Sequence, residues 1–241
     1  MPLSYEQQFT AFYFECDLWD RMAPGAVLRR VQEISTAQCD ALGINEALYR
    51  RTGTVFLLAK LSLQVQRMPR LLEDVRIETR AYGMKRAVYQ RMTSLHNAQT
   101  GEKLCETDAR WILVDTETRR IRRKPLDEFL PLFNEEPGAE GHNMDIVRPK
   151  TLYPIKEMRA TYTLCDRNGH VNNTKYADIV CDHLPIEQLR AAVPKRMLLW
   201  YHSEIPLSSS FSLAGAPSGE NGYYFVAAQQ DRKNFECQIE F

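Results

Sequence analysis

The two halves of this sequence resemble each other, which limits the fold to arrangements that use one structural unit twice. At an offset of 149 residues, four positions are identical between the halves, namely Ala11 and Ala160, Tyr13 and Tyr162, Cys16 and Cys165, and Asp17 and Asp166. The predicted helices and strands also follow in the same order in both halves. A chain of 241 residues is long enough for two such units, each with a real core.

The repeated unit is predicted to be one helix with an antiparallel sheet. In the first half, apolar residues recur at helical spacing between Pro24 and Gly43, which predicts a helix over residues 24–41. Alternating or continuously apolar segments predict strands over residues 8–17, 55–65, 74–82, 87–97 and 103–115, and a final strand after Asp115.

The second half predicts the same elements. Asn172 or Asn173 is the expected N-cap of a helix that matches the first one. Strands are expected over residues 197–207, 222–230 and 234–241. The loop-like segment between the halves, centred on residues 135–141, is long for a compact domain and reads as a linker. We therefore expect an N-terminal domain over 1–125, a linker over 126–154 and a C-terminal domain over 155–241.

Composition excludes several classes of function. The 31 basic and 31 acidic residues give a formal net charge of zero, so no global charge recruits nucleic acid or an anionic membrane. No apolar run is long enough to anchor the chain in a membrane. The six cysteines are scattered without a Cys-x-x-Cys pair, which favours reduced thiols and indicates no zinc site. We expect a cytoplasmic protein without a cleaved leader.

One local cluster of charge departs from this balance. It is a basic run that surrounds Ile121 and consists of Arg119, Arg120, Arg122, Arg123 and Lys124. Such a run is typical of a solvated strand end, and the alternative is a surface that docks an acidic protein partner.

The segment 165–173 carries the strongest candidate for chemistry. Asp166, Asn168 and His170 occupy every second position, which in an extended segment places a carboxylate, an amide and an imidazole on one side. Backbone N–H groups over Gly169 to Val171 are candidates for binding an oxyanion. The alternative is an ordinary turn that caps a helix, because Asp, Asn and Gly are common turn residues.

The internal repeat shows which half keeps these side chains. The positions of Asn168 and His170 are occupied in the first half by Trp19 and Arg21. The second half is therefore predicted to hold the reactive site, and the first half to be remodelled for packing or binding.

This combination of features resembles the acyl-acyl carrier protein thioesterases of the double hotdog class. The family's motif matches as Asp166, Asn168 and His170, followed by 171–173 and by Tyr176. Segments 79–86 and 110–115 resemble the family's first-half strands, and the resemblance extends over residues 5–241. It implies an α+β fold of two tandem hotdogs, in which two long helices are each wrapped by an antiparallel β-sheet.

The resemblance also implies a catalytic glutamate 34 residues beyond the histidine, on a strand that faces it. Glu204 stands at this position. In the plant members a cysteine follows this glutamate, but here the next residue is Ile205, so a cysteine nucleophile is not expected there. Cys165 is expected to point into the core, because alternation turns it away from Asp166. The family's transit peptide and apolar anchor are missing, which suggests a bacterial and freely soluble version.

The expected roles follow from the needs of thioester hydrolysis. Glu204 is the predicted general base, provided that partial burial favours its neutral form. Asp166 can share or polarise the water, Asn168 can orient it, and His170 can hold the carboxylates and protonate the leaving thiolate. His202 is either a supporting group on the face of Glu204 or purely structural. The other histidines, His96, His142 and His183, are expected to be structural.

Binding residues are predicted less specifically. An apolar slot for the acyl chain is expected between the helix and the sheet of the first half. Its candidate lining residues, each equally explained as core, are Val31, Ile34, Phe56, Leu58 and Leu61. The acidic acyl carrier protein is expected to dock on the basic run or on Lys150, Lys156 and Arg159.

The function implied by this reading is hydrolysis of fatty acyl-acyl carrier protein, which releases free fatty acid and terminates fatty acid synthesis. Neither a metal nor an organic cofactor is needed. Alternatives are a hotdog thioesterase that acts on acyl-CoA, a non-catalytic acyl-thioester-binding protein and, with less support, a hotdog dehydratase. One chain already contains both units, so a monomer suffices, although a homodimer is equally compatible.

Overall fold

A computed structural model of the protein describes residues 4–134 and 140–241. In these residues, all the strands belong to one large sheet. Its strands are β1 (Ser4–Thr10), β2 (Thr54–Val65), β3 (Asp74–Lys85), β4 (Val88–Asn97), β5 (Lys103–Asp115), β6 (Phe133–Asn134), β7 (Tyr153–Arg159), β8 (Arg196–Tyr201), β9 (Ser210–Pro217), β10 (Gly222–Gln229) and β11 (Arg232–Glu240). The helices are α1 (Pro24–Ala41), α2 (Glu46–Thr52), α3 (Lys175–Cys181) and α4 (Ile186–Ala191).

The two halves share this sheet edge to edge. The strand order is β1-β3-β4-β5-β2-β8-β11-β10-β9-β7, and the short β6 pairs with β3 in parallel. β2 and β8 join the halves as antiparallel neighbours, from the pair Lys60 and Trp200 to the pair Gln64 and Arg196. The two predicted sheets are therefore continuous, which lets one apolar core extend beneath both halves.

The helix of the first half is confirmed, whereas the expectation of a second long helix is wrong. α1 spans 18 residues, and α3 spans only 7. Pro185 explains the difference, because proline lacks an N–H group and disfavours helical geometry at the residue before it. The chain turns at this point and resumes as α4. The N-cap position of α3 is Thr174, not Asn172 or Asn173.

Three predicted strands differ from the observed ones. The first ends at Thr10 and is followed by a 3₁₀ turn over Tyr13–Glu15. No strand forms over residues 116–126, because the Asp115 carboxylate accepts from the Thr118 N–H in a turn, and Ile121 makes only an isolated bridge. The strand predicted over 197–207 ends at Tyr201, where two successive N–H groups donate to the same carbonyl, that of Asn234.

The segment predicted as a linker is attached to both halves where the structure describes it. Residues 127–132 form a 3₁₀ helix, and 135–139, in the centre of the predicted linker, lie outside the described residues. Residues 140–149 cross the sheet on the face opposite α1. There the backbone N–H of His142 binds Asp108 at 2.9 Å, and the carbonyl of Met144 accepts from the Trp200 indole at 2.9 Å. We call residues 140–149 the strap.

The helices of the two halves meet through residues that are equivalent at the offset of 149. Arg29 on α1 and Asp178 on α3 form an ion pair at 2.7 Å. The approach is close, because a Cβ atom added to Gly25 would lie 1.8 Å from the Asp178 carboxylate. These equivalent positions thus carry opposite charges in the two halves, which favours contact of the first half with the second half over contact between two identical halves. Among the described residues, no helix has the length and apolar content needed to cross a membrane.

Candidate active site

The motif of the second half forms a tight hairpin turn, so the expectation of an extended segment is wrong. The Gly169 N–H donates to the Asp166 carbonyl at 3.0 Å, and the Asp166 N–H donates to the His170 carbonyl at 3.0 Å. Gly169 has a φ of +77°, which glycine adopts at low cost. The cause of the turn is Asp166, whose Oδ1 accepts from the Asn168 N–H at 2.8 Å. We call residues 165–171 the catalytic turn, after the role that the sequence predicts for them.

The Asp166 carboxylate is bonded within its own surroundings. Its Oδ2 accepts from the Asn172 side chain at 3.2 Å. Asn172 is fixed in turn, because its Oδ1 accepts from both the N–H and the hydroxyl of Thr174, at 2.9 and 2.7 Å. Asp166 therefore connects the catalytic turn to the start of α3.

His170 and Glu204 are brought together by the fold. The distance from His170 Nε2 to Glu204 Oε2 is 3.5 Å, and the two side chains are 31% and 44% exposed. The catalytic turn is held against the segment of Glu204 by a bond from the Val171 N–H to the Ile205 carbonyl at 2.9 Å. The result is a solvent-accessible imidazole–carboxylate pair, which can take a proton from water and pass it on.

One expectation about Glu204 is nevertheless wrong. It follows β8 in a loop and does not lie on a strand, since the strand ends at Tyr201. Its position is set by Asn234, whose side chain donates to the Glu204 carbonyl at 3.2 Å.

Asn168 and the backbone N–H groups of the turn differ in whether they already have hydrogen-bond partners. The Asn168 side chain is exposed and makes no hydrogen bond within residues 4–134 and 140–241. Of the N–H groups over Gly169 to Val171 that were predicted to bind an oxyanion, those of Gly169 and Val171 are already bonded within the protein. The N–H of His170 has no acceptor in this part of the chain.

The thiol beside the motif is not activated. Burial, together with the nearby Asp166 carboxylate, raises the pKa of Cys165, and its side chain packs against the main core. A thiolate is the nucleophilic form of cysteine. The position therefore agrees with the expected core role.

The other histidines bind elsewhere. His202 Nε2 donates to the buried Glu236 carboxylate at 2.7 Å, on the face of the sheet opposite α1, so of its two predicted roles the structure favours the structural one. His96 contacts the Gly101 carbonyl, His142 contacts Glu106, and His183 contacts the Ile179 carbonyl. No group of three or more potential metal ligands gathers in the described ranges.

The first half repeats the catalytic turn without its reactive groups. The Asp17 N–H donates to the Arg21 carbonyl at 2.7 Å, and the Asp17 carboxylate accepts from the Trp19 N–H at 2.9 Å. The Arg21 guanidinium lies 4.8 Å from the Trp19 ring centroid and binds the Asp17 carboxylate at 2.9 Å. The Met22 N–H donates to the Pro69 carbonyl, as the Val171 N–H donates to the Ile205 carbonyl in the second half. Pro69 is therefore equivalent to Ile205, and Met68, the residue before it, occupies the position of Glu204.

Comparison with known proteins agrees with this two-part organisation. Residues 2–132 match the acyl-ACP thioesterase N-terminal domain, and residues 148–241 match the acyl-ACP thioesterase C-terminal domain. The chain belongs to the acyl-ACP thioesterase family. A curated relative, the chloroplastic acyl-[acyl-carrier-protein] hydrolase FATB1 of Cuphea viscosissima, is 25% identical over 210 residues, which cover 81% of this chain and 50% of the relative. The chloroplastic palmitoyl-acyl carrier protein thioesterase of Cuphea hookeriana is 23% identical over 236 residues, which cover 92% and 57%.

This chain therefore spans little more than half the length of those relatives, whereas solved structures match it from end to end. An acyl-ACP thioesterase from Bacteroides thetaiotaomicron VPI-5482 superposes with a TM-score of 0.86 at 19% identity and covers 99% of this chain and 97% of that one. The 12:0-ACP thioesterase of Umbellularia californica gives a TM-score of 0.86 at 19% identity, with 100% and 97% covered. These similarities confirm the predicted α+β double hotdog fold.

The residues predicted to line an acyl slot in this thioesterase family member do not share one surface. Val31, Ile34 and Leu61 are buried in the main core, and Leu58 packs at its edge. Phe56 packs against a second apolar cluster beside α2.

The contacts of α2 were not predicted from the sequence. Its first residue, Glu46, forms an ion pair with Arg167 of the catalytic turn. Its C-terminal Gly53 accepts a bond from Thr116, directly before the basic run. The exposed Arg50 and Arg51 lie in the last turn of α2, and Arg50 forms an ion pair with Glu46. The only sequence signal was the Asn45 N-cap followed by Gly53, which marks a helix too short to be recognised by periodicity.

Proposed function

We propose that this protein hydrolyses the thioester of fatty acyl-acyl carrier protein and releases free fatty acid, which terminates chain elongation. The observation that carries the proposal is the approach of His170 and Glu204 to 3.5 Å in the half that retains the family motif. Membership of the acyl-ACP thioesterase family supports the reaction class. The experiment that tests it is the release of fatty acid from acyl-acyl carrier protein by the purified protein.

The proposed mechanism uses only groups of this chain and one water molecule. Glu204 accepts a proton from the water as the water oxygen bonds to the carbonyl carbon. The carbon–sulfur bond then breaks, and the proton passes through His170 to the departing thiolate. The products are a fatty acid and the free thiol of the carrier. The exposed Asn168 amide and the unbonded N–H of His170 are the proposed donors to the carbonyl oxygen as it gains charge.

Asp166 is proposed to be a positioning residue, because both of its oxygens are bonded within the catalytic turn and to Asn172. Asp17 makes the same turn in the half that lacks the histidine and the glutamate. A carboxylate that is needed for the turn itself explains its presence in both copies.

The Asp166→Asn variant distinguishes positioning from proton transfer. If Asp166 only positions the turn, we expect kcat to fall by about tenfold, since the amide oxygen still accepts from Asn168, and the pH profile to keep its shape. A direct acid–base role predicts a loss of about 10²–10⁴ and an altered pH profile. Asp17→Asn is the matched control, and it should weaken folding to a similar degree without changing the pH profile. Steady-state kinetics across pH, with thermal unfolding, measure both.

The carrier is proposed to dock on the basic run and on the neighbouring end of α2. Arg119, Arg120, Arg123 and Lys124 are exposed and form no ion pair within the described residues, whereas Arg122 lies 3.6 Å from Asp115. α2 extends from this surface to the catalytic turn, so a carrier bound here would be one short helix away from Glu204. Complementary charge mainly accelerates association and selects the partner.

Charge reversal tests this docking surface. Combining Arg120→Glu with Arg123→Glu should lower kcat/KM for acyl-acyl carrier protein by about tenfold at low salt, because an acidic partner is then repelled. Hydrolysis of acyl-CoA with the same acyl group should change little. Lys150→Glu with Lys156→Glu is the matched control for the alternative surface. If the control pair lowers the rate and the first pair does not, docking through the basic run is excluded.

The limits of the two domains and the cellular location of the protein are proposals as well. We propose hotdog domains over 1–125 and 155–241 joined by residues 126–154, with acyl-chain binding in the first and chemistry in the second. A cytoplasmic location is supported by the balanced charge and by the expected carrier substrate. Because both domains lie in one chain, a monomer is sufficient for activity.

A further inference from the structure

The loops that follow β2 and β8 occupy equivalent places in the two halves and share one backbone arrangement. In the first half, the N–H groups of residues 66 and 67 both donate to the Leu104 carbonyl, at 2.9 and 3.3 Å. In the second half, the N–H groups of residues 202 and 203 both donate to the Asn234 carbonyl, at 2.9 and 3.2 Å. Leu104 and Asn234 are therefore equivalent residues.

A β-bulge sets the geometry of both positions. In β5, the residues on either side of Leu104 pair with β4, whereas Leu104 itself has no opposite residue there. In β11, the residues on either side of Asn234 pair with β10, whereas Asn234 has none. The extra residue of a bulge is left out of the ladder, and bulges beside sites redirect a side chain. Because both halves have the same bulge, the backbone does not require a polar side chain at either position.

Only the second half has a polar side chain at the bulge. Leu104 is fully buried in the main apolar core, and Asn234 is 2% exposed. The Asn234 amide nitrogen lies 3.2 Å from the Glu204 carbonyl, 3.4 Å from the Ser203 carbonyl and 3.0 Å from the Ser203 hydroxyl. Carbonyl oxygens only accept, so the NH2 group faces them. The amide thus binds the two carbonyls that flank the Glu204 Cα atom.

The first half holds the equivalent carbonyls by different means. The Arg67 carbonyl accepts from the Cys105 thiol at 3.5 Å, and the Met68 carbonyl accepts from the Arg67 guanidinium at 3.4 Å. The same guanidinium forms two ion pairs, at 2.7 and 2.6 Å. A charged side chain therefore holds the first loop, whereas the buried Asn234 holds the second loop and leaves the Glu204 carboxylate free.

The Asn234 amide is only partly satisfied in this place. Its Oδ1 is buried and has no hydrogen-bond partner among residues 4–134 and 140–241. An unsatisfied buried acceptor opposes folding. Leucine occupies the same bulge in the first half without this penalty, so packing alone does not account for the asparagine. The amide group is explained by what it binds, which is the backbone of Glu204.

We propose that Asn234 is a positioning residue for the general base, because its amide fixes the carbonyls beside Glu204 and so keeps the carboxylate 3.5 Å from His170. This inference rests on the proposed function. Asn234 acts through the backbone and does not touch the reacting atoms. In the described part of the chain, no other side chain donates to these two carbonyls, so loss of the amide releases the loop that carries the base.

Asn234→Leu gives the second half the side chain that the first half has at the bulge. We expect kcat to fall by about a hundredfold, the loss typical of a displacement of about 1 Å at a reacting group. KM should change little, because Glu204 acts on the water. The unfolding temperature should stay near that of the wild type, since leucine removes the unsatisfied acceptor together with the bonds. A folded variant with the wild-type kcat overturns the proposal.

Combination with Glu204→Gln separates positioning of the base from a general effect on the fold. If Asn234 acts through Glu204, Asn234→Leu should lower kcat by less than about threefold once Glu204 is already glutamine. Equal losses in both backgrounds would show that the amide supports something other than the base, and would overturn the proposal. Asn234→Gln keeps the NH2 group on a longer side chain and should recover part of the lost kcat.

The first half supplies the matched control. Leu104→Asn buries the same amide beside Met68, where no base is present. It should lower the unfolding temperature, because the amide lacks the partners that Asn234 has, and it should leave kcat unchanged. A loss of kcat equal to that of Asn234→Leu would contradict a role specific to the loop of Glu204.

Gln229→Ala is a milder change at the same place. Gln229 is half-buried, and its Oε1 accepts from the Asn234 amide at 3.2 Å. Loss of this one bond should lower kcat by about fivefold, in line with the value of a single hydrogen bond. If Asn234→Leu does not fold, this variant decides, and an unchanged kcat then overturns the proposal.

Hydrogen exchange keeps this inference separate from the proposed reaction. The amide hydrogens of residues 202–207 should exchange faster in Asn234→Leu than in the wild type, and those of the equivalent residues 66–71 should not change. This result supports the role of Asn234 even if the protein hydrolyses no thioester. Unchanged exchange over 202–207 contradicts it even if hydrolysis is confirmed.

Discussion

Glu204→Gln is expected to lower kcat for acyl-acyl carrier protein hydrolysis by about a thousandfold. Glutamine keeps the size of the side chain but cannot accept the proton of the attacking water, and general bases typically contribute about 10²–10⁴ to the rate. The effect should fall on kcat and leave KM little changed, because Glu204 acts on the water and not on the acyl chain. Fatty acid release at saturating substrate measures it.

A stability control is needed to interpret this loss. The Glu204 side chain is 44% exposed and makes no hydrogen bond in the described part of the chain, so the variant should unfold at the wild-type temperature. Glu220→Gln, which changes an exposed glutamate in the turn between β9 and β10, should retain full activity. If Glu204→Gln folds normally and keeps more than about a tenth of the activity, another group is the base.

Glu236→Ala is expected to cause the largest loss of stability. The Glu236 carboxylate is fully buried and binds Arg148 of the strap at 2.6 Å, His202 at 2.7 Å and Lys233 at 3.2 Å, and it also accepts from Tyr224. Removing it leaves several donors unpaired, and breaking a buried ion pair in this way costs about 3–5 kcal/mol. For a chain of this length the unfolding temperature should fall by about 10 °C.

The stability that the Glu236 carboxylate contributes should change with pH in a defined direction. Burial by itself raises the pKa of Glu236, but the bonds from Arg148, Tyr224, His202 and Lys233 outweigh it and hold the pKa well below its usual range. The stabilisation is therefore complete above the carboxyl pKa of the unfolded chain, about 4.3, and is lost as the pH falls below that value. Wild type and Glu236→Ala should differ most at pH 7 and converge in acid.

Denaturant unfolding at several pH values measures this prediction. Arg148→Ala combined with Glu236→Ala should be less destabilised than the sum of the single variants, because the pair interacts directly. A constant difference between wild type and Glu236→Ala from pH 7 to pH 3 would contradict the assigned role of the buried carboxylate.

Much of the fold could be predicted because local patterns and long-range packing agree. α1 has Pro24 at its start and a continuous apolar face, and β3, β4 and β5 show alternation that the core requires. The second helix was predicted too long, because the apolar spacing continues to Leu184 while Pro185 stops the helix. The strap could not be predicted, because its contacts, such as that between His142 and Asp108, join residues far apart in sequence.

The candidate active site could also be predicted only in part. The pairing of His170 with Glu204 followed from the family resemblance, and the distance between the two side chains agrees with it. The identity of Asp17 and Asp166 was visible in the sequence, but its meaning as a turn-forming feature required the bonds of both turns.

Release of free fatty acid by the wild-type protein, from acyl-acyl carrier proteins with eight to eighteen carbons, tests the central claim most directly. The account predicts hydrolysis of part of this panel, with a preferred chain length and with turnover faster than that of acyl-CoA carrying the same acyl group. Binding of the panel without release of fatty acid would contradict it and would identify the catalytic turn as a binding site only.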